Sequence, residues 1–502
     1  AAPAAEEPST IVIGTTDEIS GLDAGTVYAV HDWELLRNIN QSLLRWEPGT
    51  ANLAPGIADF PEVSDDGKTY TFTLRDGVAF CDGTELTAQM YVDQFSRTIN
   101  IPDSESGGAL VAPYVESVEA DGNNVVFTLT DSFGFFSSVV TGAPYMPTNP
   151  ATFGPDEFND FPEASADAPL CGVGPWMITS YDPAEQTVLE PNPFYFGDDQ
   201  PKVDRVIVRY FADPQTMALA VQEGEIDVAW RILGPDLRAQ LADVDGLTTT
   251  RINGGPIRYF IVNHGIPPFD DPNVHQAVAA LIDRDEISDR VFAGQVVPLY
   301  SPIPPGYIGA DETLYDDVYQ APNVDKAREL LSASGYSESN PVEIDLWYPP
   351  EHYGGVVADA VQVLKEQIEA SGMATVNLNA QDWATYVGAV IGGTDYPISF
   401  LGWFFDYPDS DNWVSPFGLG AGLGSNTNND ELDALLLAAA AESDADARAA
   451  LYGQVQDLWA QLNPTIPLWI EPEYVEYWTD RVSGVNIGPT IEFNYNQLSL
   501  NN

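Results

Sequence analysis

The sequence predicts a fold in which β-strands and α-helices alternate in two halves, with a region of antiparallel strands inserted into the first half. Three observations predict it. The chain has 502 residues, more than one hydrophobic core can hold, so two or three domains are expected. Strand and helix signals alternate in residues 187–292 and again in 343–462. Residues 68–129, in contrast, carry a strand meander.

The first half opens with a strand and a helix. The apolar segment STIVIGTT at 9–16 predicts a strand, and residues 32–46 predict a helix. In the inserted region, KTYTFTLR at 68–75 and NNVVFTL at 123–129 alternate between apolar and polar side chains, which is typical of half-buried antiparallel strands. These segments predict an antiparallel sheet within the first half.

Alternating strands and helices continue from this region to near the end of the chain. Gly224 and Gly372 each follow a helical segment and predict its end. The predicted strands are 203–211, 225–230, 343–349, TVNLNAQ and YPISFLGWFF, and the predicted helices are 212–224, 274–292, 356–372 and about 430–462. Sheets of this kind bind ligands beyond the carboxyl ends of their strands, often between domains.

The net charge of −57 restricts the partners that the protein can have. The chain contains 76 Asp and Glu residues against 19 Lys and Arg. A surface of this sign repels nucleic acid and anionic lipid, which excludes a nucleic-acid-binding protein. The charge favours a saline habitat, where counterions screen self-repulsion; an acidic secreted protein without that adaptation is the alternative.

Two cysteines and the N-terminal segment bear on export. Cys81 and Cys171 form neither a CxxC pair nor part of a larger cluster, so they do not predict a zinc site. In an exported protein they are expected to form one disulfide, with two buried thiols as the alternative. The segment AAPAAEEPST has no signal-peptide pattern and is expected to be a tether after a removed signal. No apolar run of about 18 residues predicts a membrane span.

Signatures of enzymes and of metal sites are missing from the sequence. The four histidines do not occur in an HExxH motif, and neither a GxSxG nor a GxxxxGK[ST] motif is present. Carboxylate pairs such as Asp65 and Asp66 are frequent because the whole chain is acidic, so they carry little catalytic information. The sequence therefore predicts no catalytic residue, no cofactor and no metal ligand.

One segment combines aromatic and acidic side chains in an unusual way. FLGWFFDYPDSDNW, residues 400–413, contains six aromatic residues and three aspartates. A buried strand does not require Asp406 beside Trp403 and Phe404, and a solvated loop does not require the rings. A carboxylate shielded by rings is costly to desolvate unless a cation binds it, so this segment is a candidate ligand site.

Several sequence blocks, distributed from one end of the chain to the other, resemble one protein family. The longest of these is LAPGIADFPEVSDDGKTYTFTLRDGVAFCDGTELTA at 53–88. The others are GVGPWMI at 172–178, the segments 191–230 and 262–287, SNTNNDELDALL at 425–436 and PTIPLWIE at 464–471. In these blocks the chain is similar to the extracytoplasmic solute-binding proteins of ABC importers, in the peptide/nickel-binding class (family 5).

The resemblance implies an α/β, two-lobed periplasmic-binding-protein-like type II fold with an additional α+β domain inserted in the first lobe. Domain I would then hold 1–46, 170–256 and 478–502, domain II would hold 47–169, and domain III would hold 257–477. A bridge between Cys81 and Cys171 would join domain II to domain I.

The resemblance also gives the acidic aromatic segment a role. In peptide-binding members a Gly-Trp-x-x-Asp segment of the second lobe lines the ligand cleft, and here Gly402, Trp403 and Asp406 match it. Asp406 would then bind the ammonium group of the ligand and Trp403 would flank its backbone, with Phe404 beside them. An ion pair or cap for Asp406 within its lobe, and a core position for Trp403, are the alternatives.

Further candidates for ligand contact come from the same resemblance. Tyr28 and His31, beside Asp32, follow the first strand, with solvated residues at the start of a helix as the alternative. Arg258 and Tyr259 lie on the strand that enters the second lobe, and a surface ion pair is the alternative for Arg258. Dipeptide binders of the family carry an arginine after the strand that matches EIDLWYP, whereas this chain has PPEHYGG, with His352. This departure argues against a dipeptide as the ligand.

Together these features predict a monomeric binding protein that closes two lobes on a solute and delivers it to the permease subunits of an ABC importer. The expected ligand is a short peptide or another amine-bearing solute; an oligosaccharide or a nickel complex is the alternative within this fold. A secreted hydrolase of peptides or glycans is the alternative from another class. The expected location is extracytoplasmic, in the periplasm or tethered as a lipoprotein to the outer face of the cell membrane.

Overall fold

The computed structural model divides the chain into two compact units, Ala1–Gly254 with Glu473–Asn502, and Gly255–Pro472. It describes residues 8–501 apart from 18, 28, 101–110, 155–157, 232, 253, 351, 354–355, 394 and 489. We call the two units the first and the second unit. The finer division of the first unit into domains I and II stays a prediction.

The first unit is built on a seven-stranded mixed sheet. Its strands lie in the order Leu247–Arg251, Tyr474–Trp478, Val228–Trp230, Thr10–Thr15, Arg205–Tyr210, Gln186–Pro191 and Trp176–Asp182. The strand Thr10–Thr15 runs parallel to both of its neighbours, Arg205–Tyr210 and Val228–Trp230. The carboxyl ends of these three strands therefore meet at one edge of the sheet, where ligands of α/β folds bind.

A separate antiparallel sheet in the first unit agrees with the predicted insert. Its four strands lie in the order Glu62–Val63, Thr69–Thr73, Asn124–Leu129 and Val115–Asp121. The ring of Phe127 contacts the rings of Phe72, Phe95 and Phe136 at centroid distances of 5.8, 5.0 and 5.2 Å. These fully buried rings form a small core of their own.

Short elements complete the first unit. The described helices are Val30–Ile39, Ala88–Ile99, Phe136–Val139, Pro214–Gln222 and Pro235–Leu241, with short 3₁₀ helices at Ala143–Tyr145 and Tyr495–Gln497. The remaining strands are Leu44–Trp46 paired with Leu53–Pro55, and Val482–Ser483 paired with Ser499–Leu500. The predicted helix at 32–46 is therefore wrong in its extent, because the chain leaves the helix after Ile39 and returns as a strand at Leu44.

The predicted disulfide is confirmed. Cys81 and Cys171 are bonded to each other, across 90 residues of sequence. Next to the bridge, the backbone N–H of Cys81 donates to the carbonyl oxygen of Gly172 at 3.2 Å. The bond fixes the loop that precedes the helix Ala88–Ile99 to the segment that precedes the strand Trp176–Asp182.

The second unit is built on a six-stranded mixed sheet. The strands lie in the order Val297–Pro298, Thr465–Ile470, Ile257–Val262, Ile398–Trp403, Val342–Tyr348 and Ala374–Ala380. Ile257–Val262 is buried along its whole length and is antiparallel to both neighbours. Val342–Tyr348 runs parallel to Ile398–Trp403 and to Ala374–Ala380, as a βαβ arrangement requires.

Helices cover this second sheet, and two of the predicted ones are each divided in two. They are Pro272–Leu281, Arg284–Phe292, Leu314–Tyr319, Val324–Ala333, Val356–Glu369, Trp383–Gly392, Ser410–Gly418, Asp430–Ala441 and Ala445–Leu462 among the described residues. The single helices predicted at 274–292 and 430–462 are wrong because Asp283 and Asp444 each cap a new helix. Within the described ranges no helix has the length and apolarity that crossing a membrane requires.

Candidate functional site

The turn from Trp403 to Asn412 in the second unit is organised by one amide side chain. The Oδ1 atom of Asn412 accepts hydrogen bonds from the indole N–H of Trp403 at 3.2 Å and from the backbone N–H of Asp406 at 2.8 Å. Its Nδ2 atom donates to the Asp406 carboxylate at 3.2 Å. Because Asn412 is buried, it holds the half-buried Trp403 and Asp406 in a fixed relation to each other.

A buried ion pair anchors this turn to the rest of the second unit. Asp409 caps the helix Ser410–Gly418 and accepts two hydrogen bonds from Arg448, at 2.8 and 2.7 Å. Next to it, the buried carboxylate of Asp411 accepts from the hydroxyls of Tyr407 at 2.7 Å and Ser415 at 2.6 Å. Burial raises the pKa of Asp411 to about 6, although both hydroxyl donors oppose the shift.

Aromatic rings surround the Asp406 turn. The Trp403 ring packs edge-on against Phe417 at 5.1 Å, and the ring of half-buried Phe404 lies 4.2 Å from that of buried Phe405. Tyr259 also packs edge-on against Phe417 at 5.1 Å and is 1% exposed. Burial raises the pKa of Tyr259, and the nearby carboxylate of Asp406 adds to the shift. Tyr259 is therefore part of the buried support of the turn.

Arg258 is engaged by its own unit. Its guanidinium forms an ion pair with Glu471 and lies 4.3 Å from the centre of the Tyr353 ring. The Tyr353 hydroxyl accepts from the backbone N–H of Gly402 at 2.9 Å. A Cβ atom at Gly402 would lie 2.5 Å from the Arg258 guanidinium, so a side chain at this position would require the guanidinium to shift.

His352 lies on an aromatic surface beside the same cluster. Its ring stacks on Trp383 at a centroid distance of 3.5 Å with an interplanar angle of 2°. Burial against this neighbour and the positive charge of Arg258 lower the pKa of His352 to about 4. The imidazole is therefore neutral at neutral pH and offers no charge to a ligand carboxylate.

The structure brings together the candidates of the second unit. One group consists of the turn residues Trp403, Phe404 and Asp406 with Tyr259, which packs against the same Phe417 ring as Trp403. A second group beside it contains Arg258 and His352. His31 belongs to the first unit, with Nε2 3.7 Å from a carboxylate oxygen of buried Asp32. Tyr28 lies outside the described residues.

Sequence reasoning missed Asn412, which holds both Trp403 and Asp406. The signal in the sequence that could have identified it is the cap residue Asp409, which predicts that a helix starts at Ser410. Asn412 then lies in the first turn of this helix, where its side chain can reach the preceding loop. Among the described residues, no three His, Cys, Asp or Glu side chains come together as a metal ion would require.

The two α/β units agree with the two-lobed solute-binding fold that the sequence predicts. The sequence model described as "Bacterial extracellular solute-binding proteins, family 5 Middle" matches residues 52–425, which is well over half of the chain. The chain belongs to this family.

Similar proteins cover almost all of the chain. "Di/tripeptide-binding protein 1" of Pseudomonas aeruginosa is 27% identical over 392 residues, which are 74% of this chain and 71% of that protein. "Di/tripeptide-binding protein 2" of the same species is 25% identical over 526 residues, which are 98% of this chain and 95% of that protein. The solved structure of HbpA2 from Haemophilus parasuis has a TM-score of 0.85 at 23% identity, covering 98% of this chain and 100% of that one. The predicted type II periplasmic-binding-protein fold is confirmed.

Proposed function

We propose that this protein is the extracytoplasmic substrate-binding component of an ABC importer and that its ligand is a short peptide with a free amino group. Asp406 binds the ammonium group of the peptide, and Trp403 and Phe404 form the apolar surface beside it. The protein binds as a monomer, closes on the peptide by a hinge movement and presents the closed form to the permease subunits.

The observation that carries this proposal is the setting of the Asp406 carboxylate. It is half-buried among aromatic rings and is oriented by Asn412 from within the protein. A carboxylate in such surroundings gains most from a cationic partner, because removing it from water is costly when no charge compensates it. An ammonium group supplies that charge together with hydrogen-bond donors.

Two further features support a peptide over a neutral ligand or a metal complex. The similar proteins of Pseudomonas aeruginosa are named for di- and tripeptides. The neighbouring cation, Arg258, is already paired with Glu471, and His352 is neutral, so neither offers an unpaired positive charge to a ligand carboxylate. This arrangement favours recognition of the amino end of a peptide.

Calorimetric titration with defined peptides tests the proposal. The probe is the tripeptide that the purified protein retains best from an equimolar tripeptide library, used with a free and with an acetylated amino group. Removing one member of a buried charge pair costs about 2 to 5 kcal/mol of binding. The substitution Asp406→Asn should therefore weaken binding of the free-amine peptide about thirtyfold or more. Trp403→Ala should weaken both forms, since it removes a stacking surface.

Asp325→Asn is the matched control. It also removes one carboxylate from the second unit, but Asp325 is exposed in the first turn of the helix Val324–Ala333. Its affinity should equal that of the wild type. Equal affinity of wild-type protein for the free and the acetylated peptide would contradict the role of Asp406. Saturable binding of a neutral oligosaccharide with no peptide binding, or release of hydrolysed product, would contradict the proposed function.

A further inference from the structure

A pocket lies at the carboxyl edge of the large sheet in the first unit. Its volume is about 410 Å³, and one wall is formed by Tyr181, near the end of the strand Trp176–Asp182. This strand is antiparallel to Gln186–Pro191, which is antiparallel to Arg205–Tyr210, and that strand is parallel to Thr10–Thr15. The pocket is therefore at the edge where the parallel strands end and where α/β sheets bind ligands.

The pocket has aromatic walls and an acidic side chain. The centroids of the Phe161 and Tyr181 rings are 6.2 Å apart, and the rings are nearly parallel, with an interplanar angle of 6°. Pro162 and Pro183 extend this apolar wall. Among the described residues that line the pocket, Glu163 is the only one with a charged side chain. Phe161 is 52% exposed, so much of its ring is open to a ligand.

The backbone next to Phe161 is held by the loop that follows the first strand of the sheet. The backbone N–H of Leu22 donates to the carbonyl oxygen of Asp160 at 2.7 Å. The backbone N–H of Asn159 donates to the carboxylate of fully buried Asp23 at 3.1 Å. The exposed ring of Phe161 is therefore carried by an anchored backbone, which reduces the entropy lost when a ligand binds to it.

The segment that follows Glu163 is anchored as well. Ser165 and Ala168 exchange backbone hydrogen bonds of 3.0 and 3.1 Å, and Leu170 exchanges them with Ile178 at 2.9 and 3.3 Å. Ile178 belongs to the strand that also carries the second ring of the pocket. Both sides of the pocket are therefore fixed by the fold before a ligand binds.

The electrostatic field at the pocket is negative. Burial raises the pKa of Tyr181 to about 12, and the carboxylates of Asp32 and Asp182 add to the shift. Glu163 adds a carboxylate at the wall, and none of the described residues that line the pocket is basic. A cation is therefore favoured over an anion, and the face of an aromatic ring attracts it further.

The walls of the pocket decide which cation fits. A guanidinium is flat and stacks on an aromatic face, and the aliphatic stem of an arginine can pack against the prolines. A metal ion requires several oxygen ligands, whereas Glu163 supplies the only carboxylate among the described lining residues. The pocket thus suits a cationic side chain better than a bare ion.

We propose that this pocket binds the guanidinium group of an arginine side chain in the peptide ligand, with the guanidinium on the Phe161 ring and beside Glu163. This inference rests on the proposed function, because it names the class of peptide that the first unit selects. The proposed contact with Asp406 recognises the amino end that all such peptides share, whereas this pocket distinguishes their side chains.

The test uses tripeptides that contain two alanines and one arginine, placed at the first, second or third position. The same peptides with citrulline are the neutral counterparts, since citrulline has nearly the shape of arginine but no charge. Calorimetric titration in about 0.05 M sodium chloride keeps the charges weakly screened. At one position at least, wild-type protein should bind the arginine peptide about three- to tenfold more tightly, the combined effect of an exposed cation–π contact and an exposed ion pair.

Two substitutions in the pocket should reduce this preference. Glu163→Gln keeps the shape of the side chain and removes its charge, and Phe161→Leu keeps an apolar side chain and removes the ring. Each should lower the preference for arginine over citrulline about twofold or more, with little change in the affinity for the citrulline peptide. Both positions are exposed, so the melting temperature should stay close to that of the wild type.

The chain offers a matched control because the sequence FPE occurs twice, at 60–62 and at 161–163. Phe60 and Glu62 are also exposed, but Glu62 lies in the first strand of the separate antiparallel sheet and Phe60 just before it. Phe60→Leu and Glu62→Gln make the same chemical changes outside the pocket. They should leave the preference for arginine unchanged.

The outcomes separate this pocket from the proposed function. Wild-type protein that binds neither these peptides nor any tripeptide of the library would refute the proposed function and the inference with it. Peptide binding with equal affinity for arginine and citrulline at all positions would refute the inference alone. A preference for arginine that is unchanged in both Glu163→Gln and Phe161→Leu would also refute it, because the arginine would then be bound elsewhere.

Discussion

At the scale of single residues, the proposed role of Asp406 in binding an ammonium group depends on how its carboxylate is held before the ligand arrives. Asn412 contacts the backbone N–H, the carboxylate and the neighbouring indole in one set of hydrogen bonds. A side chain that is already ordered loses less conformational entropy when it binds, so part of the binding free energy is preserved. We therefore propose that Asn412 is a positioning residue that acts through Asp406 and Trp403.

We predict that Asn412→Ala weakens binding of the free-amine tripeptide about tenfold, because the carboxylate loses its donor and its fixed orientation. If Asn412 acts through Asp406, the same substitution should have a much smaller effect in an Asp406→Asn background. Calorimetric titration of the four proteins in this double-mutant cycle measures the coupling.

The control for lost stability is Gln456→Ala. Gln456 is a buried amide in the helix Ala445–Leu462 that is bonded to Ser301 and Tyr452, so its loss should lower the melting temperature without changing the affinity. Fully additive effects of Asn412→Ala and Asp406→Asn would assign Asn412 to folding alone.

Some residues of the site could be predicted from the sequence, and others could not. Trp403 and Asp406 stand out because an acidic residue is rarely found within a cluster of aromatic residues in the sequence. Arg258 stands out because cations are scarce here, yet its partner Glu471 is 213 residues away and only the folded sheet brings the two together.

At the scale of elements, the sequence pattern predicted whether a segment is a helix or a strand more accurately than it predicted where the element begins and ends. Alternation at 68–75 and 123–129 produced neighbouring strands, because one face of each is buried against the Phe127 core. The helix predicted at 274–292 failed for a local reason, since Asp283 satisfies the first N–H groups of a new helix and stops the previous one from continuing.

One strand of the first unit carries a buried acid that makes its stability depend on pH. Glu476 lies in Tyr474–Trp478, is 1% exposed and has one carboxylate oxygen without a hydrogen-bond partner among the described residues. Burial raises the pKa of Glu476 to about 7, against 4.5 for an ordinary glutamate. Between these values the folded protein retains a proton that the unfolded chain has lost, so the free energy of unfolding falls as pH rises.

We predict that Glu476→Gln raises the melting temperature by several degrees at pH 8 and leaves it nearly unchanged at pH 4.5. The full effect above the folded pKa corresponds to about 3 kcal/mol, because one pKa unit is about 1.4 kcal/mol. Scanning calorimetry across this pH range checks it. Glu185→Gln, an exposed residue between two strands of the same sheet, is the control and should not change the melting temperature. A gain that is equal at both pH values would contradict the assignment.

At the scale of the whole molecule, the net charge sets how the protein responds to its solution. With 76 acidic and 19 basic side chains, most carboxylates cannot have a cationic partner within the chain. Most of the buried arginines are paired with neighbouring acids, as Arg448 is with Asp409 and Arg97 is with Asp23, whereas Arg284 donates to backbone carbonyl oxygens. The remaining negative charge is therefore spread over the surface, where it opposes the compact state and is open to screening.

We predict that the melting temperature rises by several degrees between about 0.05 and 1 M sodium chloride, because the distance over which charges act falls from roughly 14 to about 3 Å in that range. Most of the rise should come at the lower concentrations, where screening changes fastest. Calorimetric scans in sodium chloride and potassium chloride measure it, and the two curves should coincide when plotted against ionic strength. A flat response would show that surface repulsion does not limit stability. A rise that begins only near molar salt, with different curves for the two salts, would assign the effect to ion-specific hydration instead.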